Sequence, residues 1–252
     1  MGPRLAALIV VAGCGRVAFD SLGAPGDATG DGGAPGDAGL DAGQVPPPGA
    51  KIWLKMETDP TMSIVDSAGG HAANCVLGIC PMRAAAVHGT GYSFSTQEID
   101  VANAGDLDAS SGFTGAIWIE LAGVPASTAC VWTKSFDGAN GYDTFTLCVD
   151  TSAQPVFDCE TPAGAADSET VPVPLSLGQW HHLAFTWDGT TKRGFVDGIE
   201  QVAVPLQIGT GGTDPVALGG SRGGYYLDGE LDDALYYTRA LSSPEIAQLA
   251  TP

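Results

Sequence analysis

The stretch QWHHLAFTWDG at residues 179–189, followed by GFVDG at residues 194–198, decides the class of fold. Leu183, Phe185 and Trp187 alternate with less apolar residues, which is the two-residue period of a strand with one face in a core. An Asp-Gly pair ends each segment, and glycine there supplies the positive φ that tight hairpin turns need. The two segments therefore predict consecutive antiparallel strands.

The same pattern of short apolar runs separated by Gly, Asp and Pro continues in both directions. Many short strands with turn signals between them indicate an all-β fold, a two-sheet β-sandwich or jelly roll. The candidate strands are residues 51–56, 91–94, 98–101, 114–121, 129–134, 143–149, 155–160, 181–187, 192–196, 199–204, 216–218 and 231–237.

One short helix is predicted at the C-terminus. Ser242 or Ser243 can cap it, Pro244 falls in its first turn, and Glu245 stands three residues after Ser242, as in a capping box.

A second segment, LDGELDDALYYTRALS at residues 227–242, resembles the closing strand and helix of bacterial laminin-G-like jelly rolls. These domains belong to the concanavalin A-like lectin/glucanase superfamily, and residues 179–198 resemble their central hairpins. Weaker similarities occur at residues 66–71, 89–94 and 113–118. The resemblance covers about residues 50–250 and implies a sandwich of this type. It does not fix a function, because the superfamily includes lectins, glycanases, adhesion modules and spacers.

The charge of the chain limits its partners. The 252 residues include 10 Lys+Arg and 29 Asp+Glu, which gives a formal net charge of −19. Nucleic-acid binding depends on cations placed against phosphates, and anionic membrane surfaces attract basic segments. We therefore expect no nucleic-acid partner, and contact with a membrane only through an N-terminal lipid anchor.

That anchor is predicted from residues 1–13, MGPRLAALIVVAG, which have the pattern of a secretory signal peptide. The segment ends before Cys14 in a pattern that resembles the lipobox of bacterial lipoproteins, in which the cysteine is lipidated. The alternative is an ordinary cleaved signal. Because Gly15 rather than Asp follows, the resemblance implies an exported, lipid-anchored protein at the outer membrane or cell surface of a Gram-negative bacterium.

Residues 14–50 predict a disordered linker between the anchor and a domain at residues 51–252. The segment is rich in Gly, Pro, Asp and Ala, and repeats APGDA at residues 24–28 and 34–38. It has too little apolar surface to offset the entropy of ordering.

The resemblance also implies a structural Ca²⁺ ion, which such jelly rolls often hold between an N-terminal acidic loop and the closing strand. The matching residues are Asp66 and Asp232, with Glu57, Asp59 and Asp233 as further oxygen donors. The alternative is that these carboxylates cap turns and bind neighbouring backbone groups.

Export makes disulfides plausible among the six cysteines. Cys75 and Cys80, with Pro81 following, resemble a loop disulfide of related secreted domains. If Cys14 is lipidated, Cys130, Cys148 and Cys159 remain. One hairpin would place Cys130 opposite Cys148 and another would place Cys148 opposite Cys159, so both pairings stay open.

The segment EIDVAN at residues 98–103 resembles the catalytic strand of retaining glucanases, which carries two glutamates and a middle aspartate. Here Asn103 takes the place of the second glutamate, and one carboxylate cannot carry out a double displacement. Glycoside hydrolysis is therefore the least favoured function, and we expect a protein that is not an enzyme.

Sugar binding uses exposed aromatic side chains with a few polar groups. Tyr225 and Tyr226, with Arg222, lie in a Gly-rich loop and are the candidate ligand-binding residues. The alternative is a loop that packs on the edge of the sandwich. We expect a non-catalytic, surface-tethered module that recognises a glycan or an extracellular protein, or else a structural or adhesive spacer that acts through protein contacts.

Overall fold

The computed structural model describes residues 45–134, 144–209, 214–221 and 224–252. These residues form an all-β sandwich with one short α-helix, α1 (Ser243–Leu249), and two 3-10 turns, Val76–Gly78 and Gly105–Leu107. The strands are β1 Ile52–Leu54, β2 Ala73–Cys75, β3 Met82–Ala85, β4 Thr90–Phe94, β5 Ile99–Val101, β6 Phe113–Leu121, β7 Ala129–Lys134, β8 Phe145–Val149, β9 Pro155–Glu160, β10 Ala166–Thr170, β11 Trp180–Trp187, β12 Thr191–Val196, β13 Ile199–Pro205, β14 Val216–Leu218 and β15 Gly229–Tyr237.

The strands form two antiparallel sheets. The eight-stranded sheet has the order β13-β12-β11-β6-β15-β4-β3, with β1 also paired to β15. The seven-stranded sheet has the order β10-β9-β8-β7-β14-β5-β2. The predicted jelly-roll sandwich with its C-terminal helix is confirmed.

The hairpins predicted from the two Asp-Gly pairs are present. Between β11 and β12, Asp188 Oδ1 accepts hydrogen bonds from the backbone N–H of Thr190 and Thr191, both at 2.9 Å. Between β12 and β13, Asp197 has φ +51° and Gly198 has φ +76°. Two successive positive φ angles are what a type I′ turn requires.

The core between the sheets follows the alternation seen in the sequence. Leu183, Phe185 and Trp187 all belong to the main core cluster, and the Phe185 ring packs edge-on to Phe113 and Phe145. On the opposite face of β11, Ala184 belongs to a second cluster, which residues of α1 cover. The eight-stranded sheet is therefore buried on both faces at this level.

The helix α1 is capped as predicted. Ser242 is its N-cap residue, and the Glu245 carboxylate accepts the Ser242 backbone N–H at 2.8 Å, which is the reciprocal bond of a capping box. No helix in the described part of the chain is long and apolar enough to cross a membrane.

The sequence analysis missed three strands, β2, β3 and β10, and all three lie at sheet edges. No residue of β3 or β10 is buried, and β2 buries only Ala73. An edge strand with at most one buried residue shows no apolar alternation, so the signal used for most other strands is missing.

The structure contains two disulfides, Cys75–Cys80 and Cys130–Cys148. The second joins directly opposed residues of β7 and β8. Cys159 belongs to the core cluster, whereas Cys148 alternates with the core residues on either side of it, so the pairing of Cys148 with Cys159 is not formed. The buried Cys159 thiol contacts the carbonyl oxygen of Asp167. Two disulfides in a fold of this kind indicate an exported protein.

Residues 45–50, which the sequence analysis placed in the linker, pack on the C-terminal segment. The Tyr237 hydroxyl donates to the Pro47 carbonyl at 2.9 Å, and the Arg239 guanidinium donates to the Pro48 carbonyl at 3.1 Å. The predicted signal peptide at residues 1–13, the lipidation site Cys14 and the linker up to residue 44 lie outside the described residues.

Candidate ligand-binding surface

The loop between β14 and β15 carries the predicted tyrosines, and its described residues on either side of Tyr226 are bonded to the sandwich. The Tyr225 carbonyl accepts the Cys130 N–H of β7 at 2.7 Å, and the Leu227 N–H bonds the Gly219 carbonyl at 3.0 Å. Tyr225 itself has φ +55°, a conformation that non-glycine residues seldom adopt. The third predicted residue, Arg222, lies outside the described residues.

Both tyrosine side chains reach solvent. Tyr225 is 60% exposed and Tyr226 is 41% exposed, so neither is packed in the core. Tyr226 forms one wall of a surface cavity of about 280 Å³, and the β6–β7 loop forms the other. Val124, Pro125 and Ser127 line it from that loop, and Asp228 lines it beside the tyrosine.

This cavity combines an aromatic ring, apolar walls, a hydroxyl and a carboxylate. A sugar ring presents apolar C–H groups on its faces and hydroxyls around its edge, so it matches a tyrosine beside fixed polar groups. The sequence analysis found the tyrosines from their loop. It missed Val124 and Ser127, because only the fold brings the β6–β7 loop to Tyr226, and it did not single out Asp228, two residues after Tyr226, as a ligand-binding residue.

The glucanase-like segment lies at β5. Glu98 is buried, and Asp100 pairs across the seven-stranded sheet with Asn74 and Ala217. Asn103 Oδ1 accepts a hydrogen bond from the Lys134 ammonium at 2.8 Å. An amide in this position can be neither a nucleophile nor a general acid, and the lysine holds it in place.

Burial lowers the pKa of Lys134 to about 8, and the nearby Asp214 carboxylate opposes that shift. The Lys134 ammonium also donates to the Asp214 carbonyl at 3.1 Å.

Among the predicted calcium ligands, Asp66 already accepts hydrogen bonds from backbone N–H groups on both carboxylate oxygens. Its Oδ1 accepts the N–H of Trp53 and Ala68, and its Oδ2 accepts the N–H of Gly69 and His71. The His71 ring also contacts Oδ2 at 2.8 Å. Burial raises the pKa of Asp66, but these backbone hydrogen bonds outweigh it and the pKa lies below its usual value.

Two other predicted ligands also hold local structure. Asp59 Oδ1 accepts both the N–H and the hydroxyl of Thr61. The Glu57 carboxylate accepts the N–H of Thr90 at 3.2 Å and its hydroxyl at 3.0 Å. Gly89, next to Thr90, has φ +69°, and a Cβ there would lie 2.5 Å from Glu57 Oε1, so a side chain at this position would be strained and would displace the Glu57 carboxylate.

The remaining two, Asp232 and Asp233, lie on β15 beside His88. Their ligand atoms and that of His88 lie within 4.8 Å of one another, the one such group of three that the described residues contain. Burial and the adjacent Asp233 raise the pKa of Asp232 to about 8. A hydrogen bond with the Asp233 carboxylate raises the pKa of His88. Nothing in the local sequence marked His88, since 144 residues separate it from Asp232.

His181 and His182 point to opposite faces of β11. The His181 ring contacts the Asp197 carboxylate at 2.8 Å. His182 is buried, and burial lowers its pKa to about 3. The two rings have different surroundings and do not form one site.

The two antiparallel sheets define a β-sandwich of the jelly-roll class, and the cavity lies on the loops that connect its strands. The family model Laminin_G_3, described as Concanavalin A-like lectin/glucanases superfamily, matches residues 93–247. The chain belongs to this superfamily.

Solved structures of the same fold have low sequence identity to the chain. Domain 4 of AbnA, an extracellular arabinanase of family GH43 from Geobacillus stearothermophilus in complex with arabinotriose, is 14% identical with a TM-score of 0.61. The match covers 81% of this chain and 98% of that domain. No curated protein matches the sequence.

Two further similar structures belong to longer chains. The binding domain of Paraclostridial Mosquitocidal Protein 1 is 13% identical, with a TM-score of 0.64, over 80% of this chain and 52% of that one. Trypanosoma rangeli sialidase in complex with sialic acid is 18% identical, with a TM-score of 0.61, over 82% of this chain and 33% of that one. This chain therefore spans about half and about a third of their lengths, and the likeness concerns the fold.

Proposed function

We propose that this protein is a non-catalytic, surface-tethered module that binds an uncharged glycan through the Tyr226 cavity. The observation that carries the proposal is the pair of exposed tyrosines on a fixed loop, with Tyr226 lining a cavity beside Ser127 and Asp228. An aromatic ring and fixed polar groups at the mouth of a rigid sandwich are the components of a sugar-binding site.

The charge of the chain supports an uncharged ligand. With a net charge of −19, long-range repulsion disfavours a polyanionic glycan. The presence of arabinotriose in the AbnA domain, an uncharged oligosaccharide on the same fold, agrees with this choice.

The proposed tether consists of Cys14, lipidated after removal of residues 1–13, and the Gly/Pro-rich linker. It would hold the sandwich at the outer membrane or cell surface of a Gram-negative bacterium. Mass spectrometry of the mature N-terminus tests the anchor, because a diacylated Cys14 is expected and an unmodified cysteine would contradict it.

A glycan array probed with the full-length protein in detergent tests the binding function. The wild type should bind one class of neutral oligosaccharide, and Tyr226→Ala should lose most of that binding, because the aromatic wall is removed. Leu77→Ala is the control, since Leu77 is 91% exposed on the Cys75–Cys80 loop and does not line the cavity. Equal binding by wild type and Tyr226→Ala would reject the assignment of the site.

Catalysis is tested separately with the glycan that binds. We expect no release of reducing sugar. Release that is abolished by Glu98→Gln would show a glycoside hydrolase instead.

A second candidate, an adhesive spacer, is favoured by a different feature. Leu77 and Ile79 of the Cys75–Cys80 loop are exposed, and so are Met62 and Met82 on either side. Both disulfide sulfurs contact the Pro60 carbonyl, so the Met62 turn lies against this loop. Sedimentation at rising protein concentration distinguishes the candidates. Association lost in Leu77→Ala, with no glycan bound, would favour the spacer.

A further inference from the structure

We infer that His88, Asp232 and Asp233 form a binding site for a divalent transition-metal ion of the zinc class. His88 Nδ1 lies 2.8 Å from Asp233 Oδ2, and the His88 N–H donates to Asp232 Oδ2 at 3.0 Å. One imidazole nitrogen and two carboxylate oxygens are a ligand set that Zn²⁺ accepts. The ion would replace the proton shared by His88 Nδ1 and Asp233 Oδ2.

The backbone of β15 is shaped to bring both carboxylates to this place. Successive residues of a regular strand point to opposite faces. Here the pairing of β15 with β6 shifts register between Asp232 and Leu235, and Asp233 has φ +46°. A bulge of this kind redirects a side chain, and both aspartates contact His88 as a result.

Further hydrogen bonds, within and outside the group, hold each ligand in position. The Trp53 indole N–H donates to Asp233 Oδ1 at 2.9 Å, and the Asp233 N–H donates to Asp232 Oδ1 at 2.9 Å. The backbone of Thr251 is a hydrogen-bond partner of His88. Each aspartate thus has one oxygen held by a donor of the protein and the other next to His88. Protein metal sites orient their ligands through such outer contacts.

The surroundings exclude most water from the group. Asp232 is fully buried, Asp233 is 5% exposed, and the His88 side chain is 12% exposed. The Trp118 ring lies edge-on to His88, with centroids 6.1 Å apart. Two adjacent carboxylates in such a place repel each other, and a divalent cation between them removes that repulsion.

The ligand set differs from the calcium site expected from sequence. Calcium takes six to eight oxygen ligands, whereas His88 contributes a nitrogen. Each oxygen of Asp66, the residue expected to pair with Asp232, accepts two backbone N–H donors, whereas each oxygen of Asp232 accepts only one. Three protein ligands leave the fourth position of a tetrahedral ion for water or an exogenous group.

Cobalt is the spectroscopic probe for this site. We would titrate the full-length protein in detergent with Co²⁺ and record the visible d–d absorption of a low-coordinate ion, then add Zn²⁺, which should displace it. His88→Ala should weaken Co²⁺ binding more than tenfold. Trp53→Phe, which keeps an aromatic ring but removes the donor to Asp233 Oδ1, should weaken Co²⁺ binding about tenfold, the lower end of the usual loss for outer contacts.

The matched control is His181→Ala. The His181 ring also contacts one carboxylate, that of Asp197, at 2.8 Å, but His181 is not part of a group of three possible metal ligands. It should bind Co²⁺ as the wild type does. Far-UV circular dichroism without metal shows whether each variant is folded. If His88→Ala is not folded, the loss of Co²⁺ binding is measured in Trp53→Phe instead. No absorption band in the wild type would overturn the proposal, and so would equal losses in His88→Ala and His181→Ala. A rise in melting temperature with Ca²⁺ alone, unchanged in His88→Ala, would also overturn it.

Discussion

The two sheets use their outer faces, the faces turned away from the other sheet, in different ways. On the eight-stranded sheet the part of the outer face under α1 is apolar, and Ala116, Ala184, Phe195 and Leu235 form one cluster there with Leu249 of the helix. The outer face of the seven-stranded sheet carries a row of cross-strand neighbours that is polar except at Ala217: Asn74, Asp100, Ala217, Thr133, Thr146, Asp158 and Ser168. The apolar face under α1 stabilises the fold, whereas the face of the seven-stranded sheet is polar. Apolar and polar residues on these outer faces both alternate along their strands with the residues of the core between the sheets.

The largest expected effect lies under α1. Phe195 is 1% exposed and packs in the cluster below the helix. Phe195→Ala should lower the free energy of unfolding by about 3–5 kcal/mol, because it removes buried apolar area and leaves a cavity. Urea denaturation followed by fluorescence measures it. Val156→Ala, on the half-buried outer face of β9, is the comparison and should cost far less; equal losses would remove the distinction between the faces.

The Cys130–Cys148 disulfide lies on the outer face of the seven-stranded sheet and should have the next largest effect. The two cysteines of this disulfide are 18 residues apart in the sequence, whereas Cys75 and Cys80 are five apart, so it closes the longer loop. Chain entropy alone predicts a loss of about 3 kcal/mol on replacing the first pair by alanine and about 2 kcal/mol for the second. Thermal unfolding of the two double variants measures the order. A larger loss for Cys75 and Cys80 would show that strain or residual structure outweighs loop length.

Two buried threonines sharpen the comparison further. Thr114, in the eight-stranded sheet, donates to the Arg239 carbonyl and accepts the Leu241 N–H. Thr133, in the seven-stranded sheet, is fully buried, and its hydroxyl has no hydrogen-bond partner among the described residues. Thr114→Val should therefore cost about 1–3 kcal/mol, and Thr133→Val should be neutral or stabilising by about 1 kcal/mol. If Thr133→Val costs as much as Thr114→Val, the Thr133 hydroxyl has a partner in solution.

The sequence predicted strands with a buried apolar face, such as β11, because Leu183, Phe185 and Trp187 show the alternation that burial imposes. It also predicted β13, an edge strand with no buried residue, which follows the Asp197-Gly198 turn. Local turn chemistry predicted the hairpins and the cap of α1. The edge strand β10 could not be found, since its five residues bury no apolar face.

The candidate sites were harder to predict than the fold. Tyr226 is marked by its Gly-rich loop, but its neighbour Val124 comes from another loop. The bulge that turns Asp233 towards His88 depends on how β15 pairs with β6. The local sequence of β15 does not determine that pairing.

The last expected effect is a pH dependence from Lys134, one of two buried lysines, of which each sheet carries one. Lys192 forms an ion pair with the Asp167 carboxylate, whereas the hydrogen bonds of Lys134 go to the Asn103 amide and the Asp214 carbonyl. Burial lowers the pKa of Lys134 from 10.5 to about 8, so between these values the unfolded chain binds a proton that the folded chain lacks. The free energy of unfolding should therefore gain a positive contribution as pH rises from about 8 to 10.5. Lys134→Met should remove this contribution and Lys192→Met should keep it, as measured by urea denaturation at pH 7, 8, 9 and 10. The same profile for wild type and Lys134→Met would mean that Lys134 keeps its proton in the folded state, held by contacts stronger than burial.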